Sequence, residues 1–211
     1  MISASRKSSL VRANPSHSTS EATVDSREKR LRILEAALGL FLRYGVKRTS
    51  IDDVAREANI AKGTVYLYFG SKSALFAAIA EHLCSQTLAQ AQQIAHEPRP
   101  AGERIAAVLD CYIGRAHRLV ARSPHVSELT ASKEAISAAT YTALDRDMTL
   151  LLEGLLAEAG VAKAEAGEMF RAAAIGLAHS GYLDEAAYLK RLNAMVKVLV
   201  AGFRGDVRSK A

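Results

Sequence analysis

The sequence predicts an all-α fold, and three observations carry that expectation. Alanine and leucine, both strong helix formers, dominate the periodic regions. Apolar residues recur at three- and four-residue spacing through most of the chain. No stretch alternates with period two for long enough to make a strand, and no internal repeat is present. The 211 residues, 49% of them hydrophobic, suit one ordinary domain or a small domain joined to a larger one.

Each element follows from local signals. Met1 to Thr23 is serine-rich and poor in large apolar residues, which predicts a disordered arm over 1–24. In "DSRE", Asp25 is placed as an N-cap with Glu28 three residues on. Leu31, Leu34, Leu38, Phe41 and Leu42 then form the stripe of a first amphipathic helix, which Gly45 ends. "TSIDDVAREAN" predicts a second, with Ser50 as N-cap and Asp52 and Asp53 at the positive end of the dipole. Val54, Ala55 and Ala58 form its apolar face, and Asn59 suits a sharp left-handed turn. A third helix spans Lys62 to Phe69. A fourth is capped by Ser71, with Leu75, Phe76, Ile79 and Leu83 inward. Further helices are expected over Glu103 to Val120, briefly over "SPHVSELT", then over Ile136 to Ala159, Ala162 to His179 and Asp184 to Phe203.

Charge divides the chain. The net formal charge is +6, and residues 25–72 hold ten Lys or Arg against six Asp or Glu, whereas residues 73–203 hold twelve against fourteen. A basic first third suggests a polyanionic partner. No apolar run approaches membrane-span length, and the N-terminus lacks the apolar core of a signal peptide. Cys84 and Cys111 have no metal-ligand spacing and read as reduced thiols, so a cytoplasmic protein without metal or cofactor is expected.

The most informative stretch is "NIAKGTVYLYFGSK", Asn59 to Lys72, which holds three of the twelve aromatic residues. At about 100° per residue, Val65 and Phe69 share one face of the third helix, with Tyr66 and Tyr68 on its opposite flanks. Gly63, Thr64 and Leu67 point away. A short helix behind a tight turn, with small residues and a lysine at its start, is the recognition half of a helix-turn-helix. Gly63 lets the backbone approach DNA, and free N–H groups at the helix start suit phosphate oxygens. The tyrosine hydroxyls and Lys72 add phosphate contacts, while outward side chains read base edges.

The run "RILEAALGLFLRYGVKRTSIDDVAREANIAKGTVYLYFGSKSALFAAI" resembles the TetR-type transcriptional regulators. It has the aromatic before a glycine (Phe41 to Gly45), the Thr-Ser-Ile opening of the second helix, and Lys-Gly-Thr-Val-Tyr-x-Tyr-Phe-x-Ser-Lys. Ala61 stands where serine is common, which removes a side-chain cap worth about 1 kcal/mol. Leu67 stands where histidine is frequent and can offer only an apolar surface, suited to a thymine methyl.

The resemblance implies a three-helix DNA-binding domain over 25–71, a larger helical ligand-binding and dimerisation domain over 72–205, and a tail over 206–211. It implies DNA contacts from Thr49, Ser50, Lys62, Gly63, Thr64, Tyr66, Leu67, Tyr68 and Lys72. A ligand pocket among the middle helices has Leu83, Tyr112, His117, Tyr141, Met148 and Leu152 as candidates. A homodimer interface on the last two helices has Phe170, Ala173, Leu177, Leu192, Val196 and Leu199. The implied function is a homodimeric repressor released from a palindromic operator when a small molecule moves the fourth helix. The alternative is a DNA-binding protein without an inducer, controlled by a protein partner or architectural. An enclosed apolar cavity among the middle helices would favour the first. A helical enzyme would need a nucleophile, base and orienting group within reach, and the sequence offers no such set.

Overall fold

A computed structural model describes residues 16–181 and 184–208, with side chains over 24–181 and 184–204. Regular structure among these residues is entirely helical. Helix α1 (Ser16–Tyr44) ends at Gly45, whose φ of +82° is the left-handed conformation that glycine adopts without strain. Its start lies upstream of the expected Asp25 cap. Asp25 instead forms an i,i+4 ion pair with Lys29 inside the helix. The remainder of the expected arm, residues 1–15, lies outside the described residues, as do residues 209–211 of the expected tail.

Helix α2 (Ile51–Glu57) opens on a complete capping box. The Ser50 hydroxyl accepts from the Asp53 N–H at 3.1 Å, and the Asp53 carboxylate accepts from the Ser50 N–H at 3.0 Å. Asn59, with φ +52°, turns the chain into α3 (Lys62–Phe69). Gly70 ends α3, and Ser71 caps α4 (Lys72–Ala95) by accepting from the Ala74 N–H at 3.0 Å.

These elements share one small core. Ile33, Leu34, Ala37, Leu40 and Phe41 of α1 meet Val54 and Ala55 of α2, Val65 and Phe69 of α3, and Leu75, Phe76 and Ile79 of α4. The buried stripe of α1 is thus rotated from the expected one: Leu31 is exposed, and Leu38 and Leu42 are half-buried. Leu129, from far along the chain, completes this core.

The larger unit starts where α4 leaves the first core. Helix α5 (Ala101–Leu109) continues through a π-helical segment (Asp110–Gly114) into α6 (Arg115–Ala121). Helix α7 (Val126–Glu158) is one run of 33 residues, where a short helix followed by a separate long one was expected. Between them lies a stretch, Thr130 to Ile136, that is mostly exposed and so carries little apolar stripe. Helices α8 (Ala166–Ala178) and α9 (Glu185–Arg208) close the unit. Its core joins Ile105, Val108 and Leu109 of α5 to Met148, Leu152 and Leu156 of α7, Phe170 and Ala174 of α8, and Leu192 and Val196 of α9. No helix of the described residues is long and apolar enough to cross a membrane.

Candidate nucleic-acid interface

The geometry of α3 starts from what it buries. Val65 and Phe69 are inside the small core, and the Arg30 guanidinium lies over the Phe69 ring at 5.4 Å. That fixes the roll of the helix and turns the opposite side outward. Leu67 is 84% exposed and Tyr66 46% exposed, and Gly63 is also on the surface. A β-carbon at Gly63 would meet nothing within 4 Å. The protein itself therefore has no packing reason for glycine there.

Ala61 gives α3 no side-chain cap. The N–H groups of Lys62 and Gly63, in the first turn, have no acceptor within the helix, as at any helix start. Both residues are exposed, and free N–H groups at a helix start suit an anion. Lys62 pairs with Asp52 of α2 at 2.9 Å, and that carboxylate raises its pKa above the ordinary lysine value. Thr64 is half-buried. The Tyr68 hydroxyl lies 3.0 Å from the Ser26 hydroxyl on α1. Arg43, at the end of α1, holds Glu57 of α2 at 2.7 Å and ties the first two helices.

Three expected contact residues have structural employment. Thr49 is 3% exposed, and its hydroxyl donates to the Gly45 carbonyl at 2.8 Å, bracing the turn between α1 and α2. Its hydroxyl therefore faces inward rather than toward a ligand. Ser50 is exposed but engaged in the α2 cap, where its hydrogen bonds to Asp53 hold that carboxyl below the usual aspartate value. The Lys72 ammonium donates to the carbonyls of Lys47 and Thr49 at 3.2 and 3.0 Å. It has one proton left to offer outward.

None of the expected ligand-pocket residues lines the groove between α4 and α9 described below. Leu83 packs against the small core, while Met148 and Leu152 are fully buried in the larger one. Tyr112 donates to the Asp145 carboxylate, and burial pushes its pKa up. Tyr141 lies under the Lys133 ammonium at 4.1 Å, with burial raising its pKa to about 12. His117 packs against His179 with ring centres 4.6 Å apart, and burial, then the neighbouring imidazole, lowers its pKa. A half-open, polar-walled groove of about 540 Å³ lies elsewhere, between the end of α4, the π segment and α9, with Gln90, Arg99, Asp110, Arg115 and Asn193 among its walls. Sequence reasoning missed it because its residues come from α4, α5, the π segment, α6 and α9 and share no motif.

The expected dimer set also divides. Phe170, Leu192 and Val196 are in the chain's own core, so their apolar faces are already partnered. Ala173, Leu177 and Leu199 are half-buried. The outward faces of α8 and α9 instead carry Met169, Ala172, Ile175 and Gly176, and Ala194, Val198, Ala201 and Gly202. A helical wheel gives the period of a stripe but not which side of a wide one turns inward.

A short second helix, a sharp turn and a third helix anchored on one face and bare on the other make a helix-turn-helix DNA-binding domain. Residues 33–79 match the model of the bacterial regulatory proteins of the tetR family, and the chain carries that family's DNA-binding domain.

Among relatives, it is 37% identical over 105 residues to a Bacillus subtilis protein named as the uncharacterized HTH-type transcriptional regulator YvdT. That alignment covers 50% of this chain and 52% of the relative. It is 40% identical over 60 residues to the HTH-type transcriptional repressor SCO4008 of Streptomyces coelicolor, covering 28% of this chain and 31% of that one. The chain thus spans about half or less of the length of these relatives. The crystal structure of a TetR-like transcriptional regulator from Rhodococcus sp. RHA1 has the same fold, with a TM-score of 0.57 at 24% identity, over 82% of this chain and 96% of that one. Both relatives are named as HTH-type transcriptional regulators or repressors.

Proposed function

We propose that the protein is a homodimeric transcriptional repressor of the cytoplasm that binds a near-palindromic duplex site and leaves it when a small molecule binds. One observation carries the DNA reading: the bare face of α3. Gly63, Tyr66 and Leu67 are exposed along a helix whose start is uncapped and which has no packing reason for glycine at position 63. In this reading the free N–H groups, Lys62 and Tyr66 hold phosphates, and Lys72 adds its remaining proton. Leu67, with Thr64 beside it, reads bases. Tyr68 reaches a phosphate from its place beside Ser26. The Thr49 hydroxyl serves the turn, and Ser50 meets DNA only at the exposed rim of its cap.

The dimer is assigned to the outward faces of α8 and α9, where alanine and glycine permit close helix approach around Met169, Ile175 and Val198. Dimerisation sets two α3 helices against successive major grooves, about 34–36 Å apart or a multiple of that distance. The effector is assigned to the polar-walled groove beside the π segment rather than to the buried core of the larger unit. A ligand there releases DNA only by binding the released form more tightly than the DNA-bound form.

Selection of bound duplex from a random pool, followed by a screen for small molecules that release it, tests this reading. Recovery of a two-fold symmetric site supports it, and failure to enrich any duplex refutes it. The second reading, control by a protein partner, is favoured by the full burial of Met148 and Leu152, two of the expected pocket residues. Release by a protein fraction and by no small molecule would select it.

A further inference from the structure

The turn between α1 and α2 is held from three sides, and one of them is unexpected. From within the small domain, Thr49 donates to the Gly45 carbonyl. From the start of α4, Lys72 donates to the carbonyls of Lys47 and Thr49. The third hold comes from the larger unit, at the corner between α6 and α7. The Ser123 hydroxyl donates to the Leu42 carbonyl at 2.7 Å and accepts from the His125 N–H at 3.0 Å. Three residues on, the Glu128 carboxylate accepts from the Lys47 N–H at 2.6 Å. Leu129 then enters the small core itself, and Val120 packs against it.

Gly45 shows how close this contact is. A β-carbon there would run into the Glu128 carboxylate and come within 3.2 Å of the His125 ring. The same residue has φ +82°. Glycine is thus required twice, by the backbone and by the neighbour, and the neighbour belongs to α7.

We infer that Glu128 is a positioning residue for DNA recognition: its carboxylate latches the α1–α2 turn, and through it the bare face of α3, to the larger unit. Helix α4 is then not the sole connection that sets the angle of the DNA-binding domain. The chemistry favours a carboxylate at this place. A backbone N–H at a turn between helices needs an acceptor, and an ionised one makes the stronger, shorter bond. Ser123 and Leu129 fix the start of α7, so the carboxylate is aimed before it binds. In a dimer, each half carries one latch, and the spacing between the two α3 helices depends on both. Loosening the latch widens the range of spacings and lowers affinity for a two-half site. Binding to random duplex, which needs no fixed spacing, is spared.

This inference rests on the DNA-binding reading, and the test separates the two. Wild type, Glu128→Ala and Glu128→Gln are each titrated with the selected symmetric site and with random duplex. Amide hydrogen exchange is followed at Lys47. Failure of wild type to bind any duplex would sink the DNA reading and leave the exchange measurement to judge the latch. The expected result is a loss of about tenfold or more for the symmetric site in Glu128→Ala, the scale of one hydrogen bond to a charged group. Exchange at Lys47 should rise, and binding to random duplex should not change. Glu128→Gln keeps an acceptor oxygen and should recover most of both effects. Unchanged or tighter binding to the symmetric site, equal loss on random duplex, or no recovery by glutamine would overturn the inference.

Discussion

Replacing Gly63 by alanine should stabilise the protein and weaken its binding to DNA, and the two effects come from the same atom. Glycine in a helix costs roughly 0.5–1 kcal/mol relative to alanine, because it loses more backbone freedom on folding. Position 63 lies in the first turn of α3, its conformation is helical, and the added β-carbon would meet nothing within 4 Å. No clash offsets the gain. With about 2–4 °C of Tm per kcal/mol for a chain of this size, the expected rise is a few degrees at most. On DNA the same carbon stands between the helix backbone and a phosphate that would otherwise approach the N–H groups of Lys62 and Gly63. Removing one charge-assisted backbone contact should weaken binding by at least tenfold, on the scale of about 1.5–3 kcal/mol for a hydrogen bond to a charged group. Because the contact is to phosphate, the loss should be even across site variants. Thermal denaturation of the free protein and fluorescence titration with labelled duplex measure the two effects. A fall in stability would show that the glycine serves packing. Unchanged affinity would remove α3 from the interface.

Leu67→Ala should leave stability unchanged, since the side chain is 84% exposed, and should relax preference at one base position by no more than the ~1–3 kcal/mol of a good base contact; a matrix of single-base variants reads this. Thr49→Val should cost about 1 kcal/mol of stability through the lost bond to Gly45, seen in denaturant titration, with Thr49→Ser nearly neutral. Charged substitutions at Met169 and Val198 together should give a folded monomer in ultracentrifugation, whereas glutamate at Leu192 should unfold the larger core. The imidazole of His117 is held below its ordinary pKa by burial and by His179, so the folded state binds fewer protons than the unfolded chain. Stability should be complete above about pH 6.5 and should fall as pH drops through the lowered folded value. His117→Gln should remove that slope.

What the sequence made legible was the physics that acts over a few residues. Ser50, Ser71, Gly45 and Asn59 all sit where cap and turn chemistry put them, and α3 has the bounds its pattern gave. The outward side of α3 was legible too, because eight residues allow only one way to bury both Val65 and Phe69. Contacts between distant segments were not. Thr49 lies beside the exposed α2 cap, yet its hydroxyl turns inward to Gly45. Glu128 touches Lys47 across 81 positions, and nothing local marks either residue. Phe170, Leu192 and Val196 read as a face awaiting a partner, but that partner is their own chain. Helix α7 could not be recognised as one run where its side chains face solvent and leave no stripe to follow.

The π-helical segment at Asp110–Gly114 has a consequence for how this chain can vary in length. A π turn is an α turn with one residue too many, held as a bulge while the helix on either side keeps its course. Deleting a single residue from it would therefore draw α5 and α6 into one continuous α-helix, with both flanks left in phase. Anywhere else in these helices the same deletion would swing every later side chain by about 100°, carrying Arg118 away from Asp110 and Leu119 away from its present side. The chain thus carries one spare codon's worth of backbone in its middle, at a place where losing it would leave the rest of the molecule in register.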